Sequence, residues 1–225
     1  MTTRLVRARS AQNKLLRSRD LLEAARKLAL ADGVKEVNLT KVTREAGLHP
    51  SALRRYFDST EELLLELAEE AWRAWADDVA DALSGRGGLS AGTVAHILAE
   101  SLERNPLFSD LLTHVALSLE DSVDLERARR YKSNTFQAYD KIVNALVAAS
   151  ADLDTPGARD VLTTTLGVAA YMWQVSHPSK ALAALYEQEP RWGHAATSFV
   201  PTVSRVLEAQ IRGARSANES SRHSR

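Results

Sequence analysis

No segment of this chain alternates apolar and polar β-branched residues, while apolar residues recur at three- and four-residue spacings almost from end to end. A period near 3.6 residues is buried by helices and not by strands, so the spacing predicts an all-α protein. With only 10 Gly and 6 Pro among 225 residues, each helix breaker marks a boundary. Leu21, Leu22, Ala25, Leu28 and Ala29 form a first stripe, and "ADG" closes it with Gly33 in the C′ position. Asn38 caps a short second helix with Leu39 and Val42 apolar, and Gly47 ends it. A third helix is expected over residues 51–57. Ser59 and Glu62, spaced as a capping box, then open a long fourth helix reaching about Leu83, with Leu64, Leu67, Ala71 and Trp75 on or near one face.

Beyond the loop "SGRGGLSAG" (84–92), helices are expected at roughly 91–104, 107–121, 124–150, 156–176 and 194–212, with room for a short one in "SHPSKALAALYEQEPRWG". The first 19 residues carry six basic and no acidic side chains and read as a mobile basic arm leading into the first helix. The polar tail from Gly213 is expected to be disordered. The resulting division is a basic arm over 1–14, a three-helix head over 15–66, a larger helical domain over 67–212 and a tail over 213–225.

The formal net charge is zero, but its distribution is not even. Residues 1–59 hold 13 Lys/Arg against 6 Asp/Glu, leaving 16 against 23 for the remainder. Such a split points to a polyanion-binding end and a differently tasked remainder. The absence of cysteine excludes disulfides, thiolate metal sites and cysteine catalysis. The N-terminus lacks the apolar core of a secretory signal, and the longest apolar run, "LGVAAYMW", is too short to span a bilayer. A cytoplasmic protein without a membrane partner is expected.

"AGLHPSALRRYF" (46–57) carries the functional signal. Three short helices, with a tight turn between the second and third, make a helix-turn-helix. At about 100° per residue, Leu53 and Phe57 point toward a core completed by Leu48 and Val42. Ser51 and Arg55 face the opposite way, flanked by Ala52, Arg54 and Tyr56. Small side chains permit close approach to a major groove, arginine pairs bidentately with guanine, and Arg and Tyr hold phosphates. His49 and Pro50 start that helix, and Gly47 supplies the sharp turn. Arginines on a solvated face are ordinary by themselves; their placement after the turn and on the basic part of the chain is not.

Residues 19–67, with "LLEAA", "AGL", "LRRYF" and "EELL", resemble the N-terminal domain of the TetR family of bacterial transcriptional regulators. The resemblance implies an all-helical homodimer, with its eighth and ninth helices at the interface and a small-molecule pocket in the C-terminal domain, usually acting as a repressor on double-stranded operator DNA. It implies DNA contacts at Thr40, His49, Pro50, Ser51, Ala52, Arg54, Arg55, Tyr56 and Thr60. Two positions depart from the family pattern: Arg54 stands where Tyr is common, and Thr60 where a phosphate-gripping Lys is common. The arm is either a solvated tail or a further groove or phosphate contact.

In the larger domain, Trp75, Phe108, His114, Phe136, Tyr139, Tyr171 and Gln174 are candidates to line an effector pocket, with Trp72, Asn134, Thr163, Thr164, Thr165, Met172 and Trp173 beside them. Core packing is the alternative for each. His96/Glu100 and Asp110/His114 are spaced four apart, but paired Glu-x-x-His motifs are missing, and no metal or cofactor is expected. No nucleophile elbow, phosphate-cradling glycine loop or H-E-x-x-H motif is present, so no enzyme activity is expected. Two rivals remain open at this point: a DNA-binding regulator without a small-molecule effector, and a helical enzyme or scaffold with a helix-turn-helix-like bend.

Overall fold

The computed structural model describes residues 2–49, 54–189, 191–192 and 198–223, with no side-chain description for 2–13, 116–117 and 215–223. Among the described residues the structure is helical and has no strand. The elements are α1 (Thr2–Asp32), a 3-10 turn (Val34–Glu36), α2 (Leu39–Glu45), α3 (Thr60–Leu83), α4 (Ala91–Arg104) and α5 (Pro106–His114). A π-helical turn (Val115–Leu119) and a 3-10 turn (Glu120–Ser122) follow, then α6 (Leu125–Ala149), α7 (Thr155–Ser176), α8 (Lys180–Gln188) and α9 (Phe199–His223). α3 is the long helix expected as the fourth. The helix expected over 51–57 is described only in part: Arg54, Arg55 and Tyr56 form a turn, and Leu53 lies outside the described residues.

The chain divides into two compact units. The first is residues 1–70 with 114–132, and the second is residues 71–113 with 133–225. The first unit has its core in Leu21, Ala25, Val34, Val42, Phe57, Leu63, Leu65 and Leu67, all at most 5% exposed. By its contacts, segment 114–132 groups with the first unit. In the second unit α9 packs along α4 and α7, burying Val203, Leu207 and Ile211 completely. The approach to α4 is close: a Cβ added at Gly92 would lie 3.3 Å from the Glu208 carboxyl group.

Both termini depart from the expectations. α1 begins at Thr2, so the basic stretch continues the first helix. Residues 2–32 contain no Gly or Pro, and Arg, Leu, Ala, Lys and Gln are good helix formers. At the other end α9 runs through Gly213 to His223, where disorder was expected. A lone glycine costs a helix about 1 kcal/mol but ends it only when the backbone turns to positive φ, which Gly213 does not do.

Candidate DNA interface and regulatory unit

The head is built from local hydrogen bonds that its sequence specifies. The Asn38 side chain accepts the Lys41 N–H at 3.0 Å and caps α2. Thr43 is buried and donates its hydroxyl to the Leu39 and Thr40 carbonyls at 2.9 and 3.0 Å, so it costs the core no unpaired polar group. Gly47 takes φ 64°, and the following Leu48 N–H reaches back to the Thr43 carbonyl at 2.9 Å. A side chain with a Cβ is strained there, which is why a glycine stands at the turn. At the entry to α3, Glu62 N–H donates to Ser59 Oγ at 3.1 Å, while the Glu62 carboxylate accepts from the Asp58 N–H at 2.7 Å. This is the capping box, with the return bond taken one residue earlier than usual.

Between those two caps the chain presents its cations. Arg54 and Arg55 are exposed and paired to no described carboxylate, Tyr56 is half-buried, and Phe57 anchors the turn with 4% exposure. Thr40 and His49 are exposed and Thr60 half-exposed, at the first residue of α3. Pro50, Ser51 and Ala52 lie outside the described residues. Two other head cations are committed internally. Lys27 bonds Glu45, which raises the lysine pKa through that hydrogen bond and the attraction that accompanies it. Lys41 pairs with Glu36 at 2.9 Å, and the bond with its charge lowers the Glu36 pKa. Among the described residues between the Gly47 turn and Ser59, the positive charge open to a partner sits at Arg54 and Arg55, and Arg44 on α2 is likewise exposed and paired to no described carboxylate.

In the second unit, Trp75 stacks on Phe108 at 4.5 Å between ring centroids and 21° between planes, and Trp72 meets both edge-on at 5.7 and 4.9 Å. The Trp75 indole N–H donates to Ser101 Oγ at 2.9 Å, and that hydroxyl donates to the Leu98 carbonyl at 2.8 Å. Trp75 and Phe108 therefore pack as core, against one another. Phe136 and Tyr139 meet edge-on along α6 at 6.2 Å, with Phe136 57% exposed. Tyr139 donates to the Arg159 carbonyl at 3.1 Å, which ties α6 to α7. Tyr171 is 69% exposed, and Gln174 donates to Asp110 at 2.9 Å. His114, half-buried, ends α5 in the first unit. A groove of about 190 Å³ runs between α3 and α6, lined by Arg73, Ala76, Asp77, Asn134, Gln137, Ala138 and Lys141. None of the six candidates in the second unit lines that groove. Its charge is partly internal, since Lys141 pairs with Asp77 at 2.6 Å.

His96 Nε2 lies 3.3 Å from Glu100, which also faces Arg104 at 3.9 Å. Among the described residues no three His, Asp or Glu side chains stand together as a metal site, and no helix is long and apolar enough to cross a membrane.

Two family models match the chain in succession. Residues 21–67 match "Bacterial regulatory proteins, tetR family", and residues 69–218 match "Tetracyclin repressor-like, C-terminal domain". The chain belongs to the TetR family of bacterial transcriptional regulators. Solved structures with the same fold include the multidrug binding protein EbrR complexed with imidazole, at 18% identity and TM-score 0.55, covering 87% of this chain and 94% of that one. Thermus thermophilus FadR, a TetR-family transcriptional repressor in complex with lauroyl-CoA, has 19% identity and TM-score 0.52, covering 88% and 92%. RolR in complex with resorcinol has 15% identity and TM-score 0.52, covering 92% and 94%. Among curated protein sequences none matches the chain.

Within this TetR-family head, one group escaped the sequence reading. Glu69 and Arg127 are buried together at 2% and 7% side-chain exposure, with Glu66 and Arg130 beside them. The available signal was the matched spacing of E-x-x-E at 66–69 and R-x-x-R at 127–130. Nothing in one sequence says that those two helices meet.

Proposed function

We propose that this chain is a homodimeric repressor that grips operator DNA through residues 49–60 and releases it when a small molecule binds its second unit. The observation that carries the DNA-binding reading is the exposed Arg54–Arg55 pair, matched to no described carboxylate and held between the Gly47 turn and the Ser59–Glu62 cap. Arg54 reads a base edge or grips a phosphate where other members use tyrosine. Thr40, His49, Tyr56 and Thr60 approach the backbone, with Thr60 donating a neutral hydrogen bond in place of a lysine charge. Pro50, Ser51 and Ala52 complete the contact surface by position. The protein works in the cytoplasm and has no catalytic step.

In the dimer, α7 and α9 from each copy pack together, and the two heads stand about 34–36 Å apart, one turn of B-DNA. The exposed Tyr171 on α7, with open space over Gly167 one turn earlier, supports that surface. The effector is an uncharged or weakly polar aromatic or lipophilic compound, met in the second unit by Phe136, Tyr139 or Gln174. The close mutual packing of Trp72, Trp75 and Phe108 favours the second reading, a regulator without a small-molecule effector.

Arg54→Ala/Arg55→Ala tests the DNA reading. By fluorescence anisotropy, loss of one bidentate guanine contact costs about 1–3 kcal/mol on the operator and little on random DNA. Equal affinity of parent and variant for operator defeats the assignment. A thermal-shift screen of aromatic and acyl compounds decides between the two regulatory readings: a stabilising compound that also lowers operator affinity establishes the effector.

A further inference from the structure

The long helix of the head and the first two turns of α6 carry matched charges. Glu66 and Glu69 stand three apart on α3, and Arg127 and Arg130 stand three apart on α6. Each arginine faces both carboxylates. Arg127 Nη2 lies 3.3 Å from Glu66 and Arg130 Nε 3.9 Å from Glu69, while the Arg127–Glu69 and Arg130–Glu66 pairs are closer still. Asp124 accepts the Arg127 N–H at 2.8 Å, capping α6 and fixing where Arg127 leaves the helix. One residue along α3, Glu70 takes Arg26 of α1 at 2.5 Å. Lys132 holds Glu120 at 2.7 Å, which ties the second turn of α6 to the 3-10 turn before it.

Burial gives this cluster its direction. Glu69 and Arg127 have lost nearly all their water, and the Arg127 Nε is buried without a hydrogen-bond partner. Each of these charges depends on the other, so the cluster resists sliding: a half-turn slip would leave a dry, uncompensated charge. α6 then continues unbroken from Arg127 through Lys132 and on to Ala149, within the second unit. A continuous helix clamped at its first turns transmits a displacement that a loop would absorb.

We infer that the Glu66/Glu69–Arg127/Arg130 quartet is the positioning contact through which α6 sets the place of α3, and with it the head. The inference deepens the proposed ligand-responsive function and rests on it. α3 is therefore not the sole transmitter; α6 delivers the state of the second unit to the same helix through four charges.

The absence of native cysteine makes a distance measurement clean. Lys35→Cys and Glu103→Cys, both exposed, receive spin labels in the full chain, diluted with unlabelled protein so that only the distance within one chain is read. The parent's distribution is the reference. Glu69→Gln/Arg127→Met removes both buried charges at similar volume; it stays folded, broadens or displaces that distribution and lowers operator affinity about tenfold. Arg127→Lys keeps the charge but cannot bridge two carboxylates, and gives the same change to a smaller degree. Either variant, folded but with the parent's distribution and operator affinity, overturns the inference, because a plain structural staple moves only the melting temperature. If the double variant does not fold, Arg127→Lys decides. A parent that binds operator and random DNA equally defeats the functional reading instead, while the distance readout, which uses no DNA, still decides the positioning contact.

Discussion

Gly47 and Glu36 show what single residues do for the local structure around α2. Gly47 sits at φ 64°, and a Cβ added there would meet nothing within 4 Å, so substitution is opposed by the backbone alone. Gly47→Ala should destabilise the protein by about 1–2 kcal/mol in urea unfolding, and Gly47→Asn, which tolerates the left-handed region, by less. Equal stability of all three proteins would show that the turn does not need this geometry. Glu36 is held below its ordinary pKa by the Lys41 hydrogen bond first and by the lysine charge second. A carboxylate whose folded pKa is depressed contributes stability above its unfolded pKa and loses it as pH falls through the folded one. Carbon-detected NMR titration should place the Glu36 midpoint below that of a free glutamate, and Lys41→Ala should return it to the ordinary value. Lys27 has the opposite sign: its raised pKa gives a contribution present below the ordinary lysine value and lost as pH rises through the folded one.

At the scale of elements, what could be read in advance was local. Gly33 and Gly47 at positive φ, the Asn38 cap and the Ser59–Glu62 box each depend on residues within five positions, so one sequence states them in full. The ends of α1 and α9 depart from expectation for a local reason as well: basic or polar composition suggests disorder, but helix propensity and an uninterrupted helix prevail. Partners across helices were not legible. Trp75 and Phe108 read as candidate pocket walls with core packing as the alternative, and the partner each stacks on was not in the sequence pattern. The Arg127–Glu69 pair, 58 residues apart, had no local signature beyond spacing. Its energetics are asymmetric. Removing one partner strands a buried charge and should cost about 3–5 kcal/mol, whereas removing both should cost far less. Denaturant unfolding of Glu69→Gln, Arg127→Met and the double variant should therefore give a double-variant loss well below the sum of the two singles. An additive loss would mean that the two side chains do not depend on each other.

For the molecule as a whole, the charge split and the two compact units do not share one boundary. The basic excess ends near residue 59, while the first unit extends to Glu70 and takes in 114–132. Segment 114–132 groups with the first unit by its contacts, and α3 and α6 each run on from one unit into the other. Under the proposed function, these two continuous helices are the route by which the two tasks are coupled. The claim that such coupling serves transcriptional control stands or falls with specific DNA binding. Its most direct test is a fluorescence-anisotropy titration of the purified protein on DNA flanking its own gene, at low and high salt, with random DNA as competitor. Specific binding should survive the competitor and weaken with salt at a slope of about −0.9 per phosphate neutralised. Arg54→Ala/Arg55→Ala should abolish the preference for that DNA. Binding that is equal on both DNAs, or unchanged by the double substitution, would contradict the account.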